Sequence, residues 1–262
     1  MGYETVTFER KGSVAVITLD RPDAANTLNM AMGRELLELA IECDENPDIR
    51  AVVLTGAGRF FCAGGDIAAF AKEGDNLGRF VKELTTYVHS ALSRFARMDA
   101  PLITAINGTA AGGGISMAAC GDIAIAAEEA KFTMAYTRAA LVPDASSTYF
   151  ITRHIGLRRM QELAITNRLL TAAEALDWGL VTRVVPGDRL MEEAMKLAAE
   201  LANGPTKSFG YVKSLLLETF SNGLETQLER EARAISAAGS SEDGREGIAA
   251  FLEKRPPEFK GR

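Results

Sequence analysis

The chain has 262 residues and a net charge of −6, with 47% hydrophobic and 24% charged residues, a balance that suits a globular enzyme and argues against a nucleic-acid partner. No apolar run reaches the roughly 18–20 residues needed to span a bilayer, and the acidic, strand-like start Met1-Gly2-Tyr3-Glu4-Thr5 is unlike a targeting peptide. Three cysteines at unrelated spacings and two histidines make neither a disulfide framework nor a zinc site, so the expectation is a cytoplasmic, metal-free protein with no membrane partner.

Tyr3 to Arg10 alternates polar and apolar, Lys11-Gly12 turns, and Ser13 to Leu19 reads as a second strand, together a hairpin. A polar loop, Arg21 to Asn26, precedes a helix with Met32, Leu36, Leu39 and Cys43 on one face, stopped by Asn46-Pro47. Ala51-Val52-Val53-Leu54 is a fully apolar strand that belongs in the centre of a sheet. The glycine-rich loop Gly56 to Ile67 then enters a helix, and an amphipathic helix runs from Leu77 to Met98. Ile103 to Asn107 reads as a buried strand, followed by a tight turn, the triple glycine Gly112-Gly113-Gly114 and a helix start. Further strands are expected at Asp122 to Ala126, Lys131 to Met134 and Leu180 to Val185. Helices are expected from Ala145, over Ser147 to Ile155 and Arg158 to Thr166, and after the capping box Thr171 to Glu174. From Arg189 onward only helix signal remains, broken at Asn203-Gly204-Pro205 and Gly239-Ser240-Ser241.

The stretches Val52 to Gly65 and Ile103 to Gly114 share one plan: apolar strand, turn, glycine pair, helix start. Glycines let a backbone approach a ligand closely, and a helix start presents unpaired N–H groups. Two such arms side by side make an oxyanion hole. Gly56-Ala57-Gly58 lacks the spacing of a dinucleotide-binding turn. Gly114-Ile115-Ser116-Met117-Ala118 loosely matches a nucleophile elbow, so a Ser116, His89 and Asp144 hydrolase can be drawn, although the turn comes early, at Asn107-Gly108. Asp144 follows Val142-Pro143 among apolar residues. It reads either as a helix N-cap or as a carboxylate whose pocket raises its pKa and makes it a base. His89 reads as solvent-facing on its helix, and Cys62 as a packed small side chain.

Phe61-Cys62-Ala63-Gly64-Gly65-Asp66, the segment from Asn107-Gly108 to Gly112-Gly113-Gly114, and Ala175-Leu176-Asp177-Trp178-Gly179-Leu180-Val181 resemble the crotonase (enoyl-CoA hydratase/isomerase) superfamily, as does the ending Phe251 to Arg255. The resemblance implies an α/β fold, a spiral of ββα units over 1–202 with a helical trimerisation region over 203–262, and trimers or hexamers. It also implies an acyl-CoA thioester substrate, with coenzyme A as part of that substrate and no separate cofactor. The thioester oxygen would lie between the N–H groups of Gly65 and Gly113, with Ala25, Ala63, Asp66, Ile67, Gly112, Tyr136 and His89 at the substrate. Losing one oxyanion donor typically costs on the order of 3 kcal/mol.

Hydratases of the superfamily use two glutamates, and those positions are Ser116 and Tyr136 here. Isomerases that shift a double bond, and the ring-opening isomerases of phenylacetate breakdown, carry an aspartate after a Leu-Val-Pro-like run, as at Asp144. The resemblance therefore implies a double-bond isomerase with Asp144 as base and acid. The alternative is a dehalogenase-like hydrolase with Asp144 as nucleophile and His89 as base, in which Tyr136 replaces the family's tryptophan. A hydratase, a serine hydrolase on Ser116 and a non-catalytic acyl-CoA-binding protein complete the set.

Overall fold

The computed structural model describes residues 2–262. β1 (Val6–Lys11) and β2 (Val14–Leu19) pair antiparallel, as the turn at Lys11-Gly12 requires. α1 (Met30–Glu45) follows, its first turn capped by the Asn29 side chain, which accepts from the Met32 N–H. Three strand pairs come next: β3 (Ala51–Gly56) with β4 (Phe60–Cys62), β5 (Leu102–Ile106) with β6 (Thr109–Ala111), and β7 (Ile123–Ala127) with β8 (Lys131–Thr133). The first pair leads into α2 (Ile67–Lys72) and α3 (Leu77–Arg97), the second into α4 (Gly113–Ala119), the third into α5 (Ser147–Ile155). α6 (Leu157–Thr166), β9 (Leu170–Thr171), α7 (Ala172–Trp178), β10 (Arg183–Val185) and α8 (Leu190–Ala202) continue the chain. It ends in α9 (Thr206–Glu218), α10 (Leu224–Ser240) and α11 (Glu242–Glu253).

Each pair divides its strands between two sheets. The larger has the order β1-β2-β3-β5-β7-β10 and is parallel from β2 onward; the smaller has the order β4-β6-β8-β9. This repetition is the expected spiral of ββα units. The parallel strands read as unbroken apolar runs because both faces of the larger sheet are covered. Val52, Leu54, Leu102 and Ile106 pack in one core with Leu36, Leu39, Leu84, Val88 and Leu92 of α1 and α3. Their alternating neighbours Ala51, Val53, Ile103 and Ala105 pack in a second core against Leu190, Ala194, Leu197 and Ala198 of α8.

The structure differs from expectation at the short elements. β4, β6 and β9 have two or three residues, too few for any periodicity to announce them. The helix expected from Ala145 begins only at Ser147, because Ala145 and Ser146 are left-handed, with φ of 50° and 69°. The strand expected from Leu180 shortens to β10. The last helices lean on the core through few residues: α10 buries none. α9 is fixed by Lys213, which is buried and donates to the Phe95 and Ala100 carbonyls while pairing with Asp122 at 2.8 Å. No described helix is long and apolar enough to cross a membrane.

Candidate active site

The two glycine arms lie against each other. Gly64 takes a φ of +94° and Gly112 one of +52°, conformations that glycine reaches at no steric cost. A Cβ on Gly64 would stand 2.9 Å from the Ala111 carbonyl oxygen and 3.2 Å from the Gly113 nitrogen, so contact this close requires a bare backbone. Asn107 ties the arms further along: its Oδ1 accepts from the Gly56 N–H at 3.0 Å and its Nδ2 donates to the Gly58 carbonyl at 3.0 Å.

Beside the arms runs Leu28, whose N–H donates to the Gly64 carbonyl at 2.7 Å and whose carbonyl accepts from the Asp66 N–H at 3.0 Å. This bridge passes over Gly65 and leaves its N–H with no acceptor among the described residues. Gly113 is the first residue of α4, where an N–H has no partner within the helix. Both glycines line one cavity of about 280 Å³. Two free amides of this kind, one at the positive end of a helix, suit an oxygen that gains negative charge.

Asp144 lies on the wall of the same cavity. It is not the cap of α5; that position belongs to Ser146, and the Asp144 main-chain carbonyl accepts from the Ser147 N–H. Its carboxylate has two distinct oxygens. Oδ1 accepts a 2.7 Å hydrogen bond from the Tyr136 hydroxyl, whereas Oδ2 lies 3.3 Å from Nε2 of His89. His89 therefore turns toward the site rather than only toward solvent, although its side chain stays 47% exposed. The Asp144 side chain retains 35% exposure, so it sits at the cavity mouth rather than sealed in an apolar pocket. Burial first, then the Asp144 charge, pushes the Tyr136 hydroxyl well above the usual phenol range, so it stays protonated and donates.

Ser116 is fully buried on α4, and its Oγ lies 3.2 Å from the Gly112 carbonyl, 3.2 Å from the Asp144 carbonyl and 3.3 Å from the Tyr136 hydroxyl. No histidine stands beside it, because His89 is occupied by Asp144 and Ala145 and His154 bonds the Ala119 carbonyl. The serine-hydrolase arrangement drawn from sequence is thus corrected: Ser116 has no base, and its hydroxyl braces the residues that hold Asp144. Cys62 is equally no nucleophile, since burial pushes its thiol up to about 12.

The other expected site residues fall into two groups. Ala63, Ile67, Gly112 and Tyr136 line the cavity with Gly65, Gly113 and Asp144. Ala25 and Asp66 stand behind it. The left-handed Ala25 offers its carbonyl to the Ala63 N–H at 3.0 Å. Asp66 caps α2 through the Ala69 N–H and pairs with Arg21 at 2.9 Å. Burial acts to raise the Asp66 carboxyl, but the Ala69 N–H and Arg21 outweigh it and hold it below the usual range.

The stretch 77–89, which on sequence is expected to give loops that build an acyl-tail pocket, is instead part of the helix α3 and forms the far wall of the cavity. Val81, Leu84, Thr85 and Val88 of α3 face Phe70, Leu141 and Val142, so the room beyond the carboxylate is apolar apart from the Thr85 hydroxyl. The stripe follows helical i, i+3, i+4, i+7 spacing, and that period was the available signal. Leu28, running beside the two arms, had no such signal.

The enoyl-CoA hydratase/isomerase family profile matches residues 9–262. A protein of Rhodobacter capsulatus named probable enoyl-CoA hydratase is 40% identical over 262 residues, covering 100% of both chains. The 1,2-epoxyphenylacetyl-CoA isomerase of Escherichia coli is 38% identical over 253 residues, covering 95% of each. The crystal structure of an enoyl-CoA hydratase from Bacillus anthracis superposes with a TM-score of 0.92 at 32% identity, over 99% of this chain and 100% of that one. With its spiral fold, paired glycine arms and match over nearly the whole length, the chain belongs to the enoyl-CoA hydratase/isomerase family.

Proposed function

We propose that the protein is an acyl-CoA isomerase that moves a double bond from C3–C4 to C2–C3 of an enoyl thioester. The observation that carries this reading is that Asp144 is the only carboxylate among the residues lining the cavity. Water addition in this family uses two carboxylates, whereas moving a double bond needs one. The thioester oxygen accepts from the Gly65 and Gly113 N–H groups; Asp144 Oδ2 takes the proton from C2, and the electron pair moves onto that oxygen as an enolate. The acid so formed returns a proton at C4 as the double bond closes between C2 and C3. Tyr136 holds Oδ1 throughout, and the apolar wall of α3 receives the acyl tail. The 1,2-epoxyphenylacetyl-CoA isomerase relative supports isomerase chemistry, whereas the other two names above are those of hydratases. The exposed Val212, Leu216, Phe220, Leu224, Leu228 and Ile235 of the C-terminal helices fit contacts between copies in a trimer or hexamer.

The 3.3 Å approach of His89 to Asp144 favours the dehalogenase-like alternative as the second reading, with His89 activating water against an Asp144 ester. One experiment separates the readings: purified protein is offered a 3-enoyl-CoA, a 2-enoyl-CoA and 4-chlorobenzoyl-CoA, with Asp144→Asn in parallel. Isomerisation of the first, reduced by about 10²–10⁴ in the variant, is expected of a lost general base. Chloride release would establish the alternative, and rapid hydration would overturn the inference drawn from Ser116 and Tyr136.

A further inference from the structure

The isomerase reading leaves His89 unused, yet its placement has a chemical consequence. The Ala145 N–H donates to Nε2 of His89 at 3.1 Å. An imidazole nitrogen that accepts carries no proton, so the neutral ring bears its hydrogen on Nδ1. The Nε2 lone pair then lies 3.3 Å from Asp144 Oδ2, the oxygen that Tyr136 does not occupy. An ionised Oδ2 gains nothing from this neighbour, because both atoms are acceptors. Once Oδ2 carries a proton, the same contact becomes an O–H···N hydrogen bond. The His89 side chain is 47% exposed and reaches water.

We infer that His89 acts through Asp144 as a port for proton exchange, so that the proton removed from C2 is replaced by one from solvent before delivery to C4. Resting on the isomerase reading, the sequence balances as follows. The C2–H bond breaks, its proton bonds Asp144 Oδ2, and its electron pair enters the enolate. Asp144 passes that proton to Nε2, giving a carboxylate and an imidazolium. The imidazolium gives its Nε2 proton to water, a solvent proton takes its place on Nε2, and that proton passes back to Oδ2. Asp144 then delivers it to C4 as the enolate pair reforms the thioester carbonyl and the double bond settles between C2 and C3. No net proton is gained or lost. The groups within hydrogen-bond reach of the ring are the Asp144 carboxylate and the Ala145 N–H, and the Tyr136 hydroxyl holds the other oxygen of that carboxylate.

The test is isomerisation of 3-hexenoyl-CoA in D2O, with the deuterium at C4 of the first-formed product read by mass spectrometry or NMR. The wild-type product is expected to carry solvent deuterium at C4 in most molecules. His89→Gln keeps an acceptor for the Ala145 N–H but cannot shuttle a proton, and it is expected to turn over while losing most of that label. An unlabelled wild-type product, or equal label in His89→Gln, overturns the exchange role while leaving the isomerase reading intact. Absence of product from the wild type overturns that reading instead. Where His89→Gln folds poorly, His89→Asn makes the same comparison, and an unlabelled wild-type product overturns the role without any variant. A purely structural role for His89 would change rate without changing isotopic content.

Discussion

Tyr136→Phe tests whether the carboxylate is held or merely present. The substitution keeps the ring that lines the cavity and removes one oxygen. That oxygen donates to Asp144 Oδ1 at 2.7 Å, a short bond to an acceptor that is charged when it acts as base. Hydrogen bonds to charged groups contribute about 1.5–3 kcal/mol. Ser116 loses a 3.3 Å neighbour but keeps the Gly112 and Asp144 carbonyls, so no buried hydroxyl is orphaned and the cost stays local. Because the Tyr136 hydroxyl is pushed far up, it donates across the whole neutral and mildly alkaline range, and the variant's deficit is expected to be pH-independent there. At about 1.4 kcal/mol per factor of ten, kcat on a 3-enoyl-CoA should fall about ten- to one-hundred-fold. KM should change little, since the apolar wall and the glycine arms are untouched. Steady-state kinetics from pH 6 to 9, with Ser116→Ala and the double variant completing a cycle, measure this. An unchanged kcat would refute the claim that Tyr136 orients Asp144; a rise in KM alone would reduce Tyr136 to a wall residue.

Gly64→Ala forces a Cβ at φ +94° to within 2.9 Å of the Ala111 carbonyl and spreads the arms. It should cost about 1–2 kcal/mol of stability, and kcat/KM should drop by an amount on the order of one oxyanion donor, about 3 kcal/mol; full activity would show that the arm spacing does not set the hole. Lys213→Met leaves Asp122 without its cation and should destabilise the fold by about 3 kcal/mol at pH 7, near the low end for a broken pair because the Asp122 side chain keeps 27% exposure. Burial already raises the Asp122 carboxyl, against the pull of Lys213. A raised carboxyl binds its proton better folded than unfolded, so the deficit should shrink as pH falls from 7 toward 5, as denaturant titrations at several pH values would show. Burial pushes Cys43, Cys62 and Cys120 up to about 12. A thiol reagent at pH 8 should therefore label none of them in the native protein and all three after unfolding; native labelling of Cys62 would mean that the first glycine arm opens.

The parts of the fold legible in the sequence are those with a repeating physical cause. Ala51 to Leu54 and Ile103 to Ile106 read as central strands because cores on both faces require an apolar side chain at every position. The Thr171 capping box read correctly because its reciprocal bonds need only residues three apart. The glycine arms were legible since no other residue permits their approach. The partners of Asp144 were legible only through the family resemblance, which implied His89 and Tyr136 beside it: His89 lies 55 residues away, and that contact depends on where α3 packs. The Tyr136 bond spans eight residues, but only through a loop with left-handed Ala140, whose conformation alanine does not announce. β4 and β6 escaped for a related reason, because three-residue strands leave no pattern to count.

The division of labour follows from which parts of the site are backbone. Gly65 and Gly113 offer N–H groups that any sequence with glycine there would offer, set by the two sheets and by Asn107. The segment from Ala135 to Ser146 is different. It holds four non-glycine residues in left-handed conformations, Ala135, Ala140, Ala145 and Ser146, each costing on the order of 1 kcal/mol or more. Such strain persists only where the surroundings over-determine it, and here the Leu141 N–H bonds the Tyr136 carbonyl, the Ser147 N–H bonds the Asp144 carbonyl, and Ser116 braces both ends. Stored strain in one loop, spent on placing a single carboxylate with its two oxygens in different company, would serve the proposed one-base reaction. On the proposed function the hole would bind the thioester, and residues 116, 136 and 144, acting as one unit, would decide what happens to it.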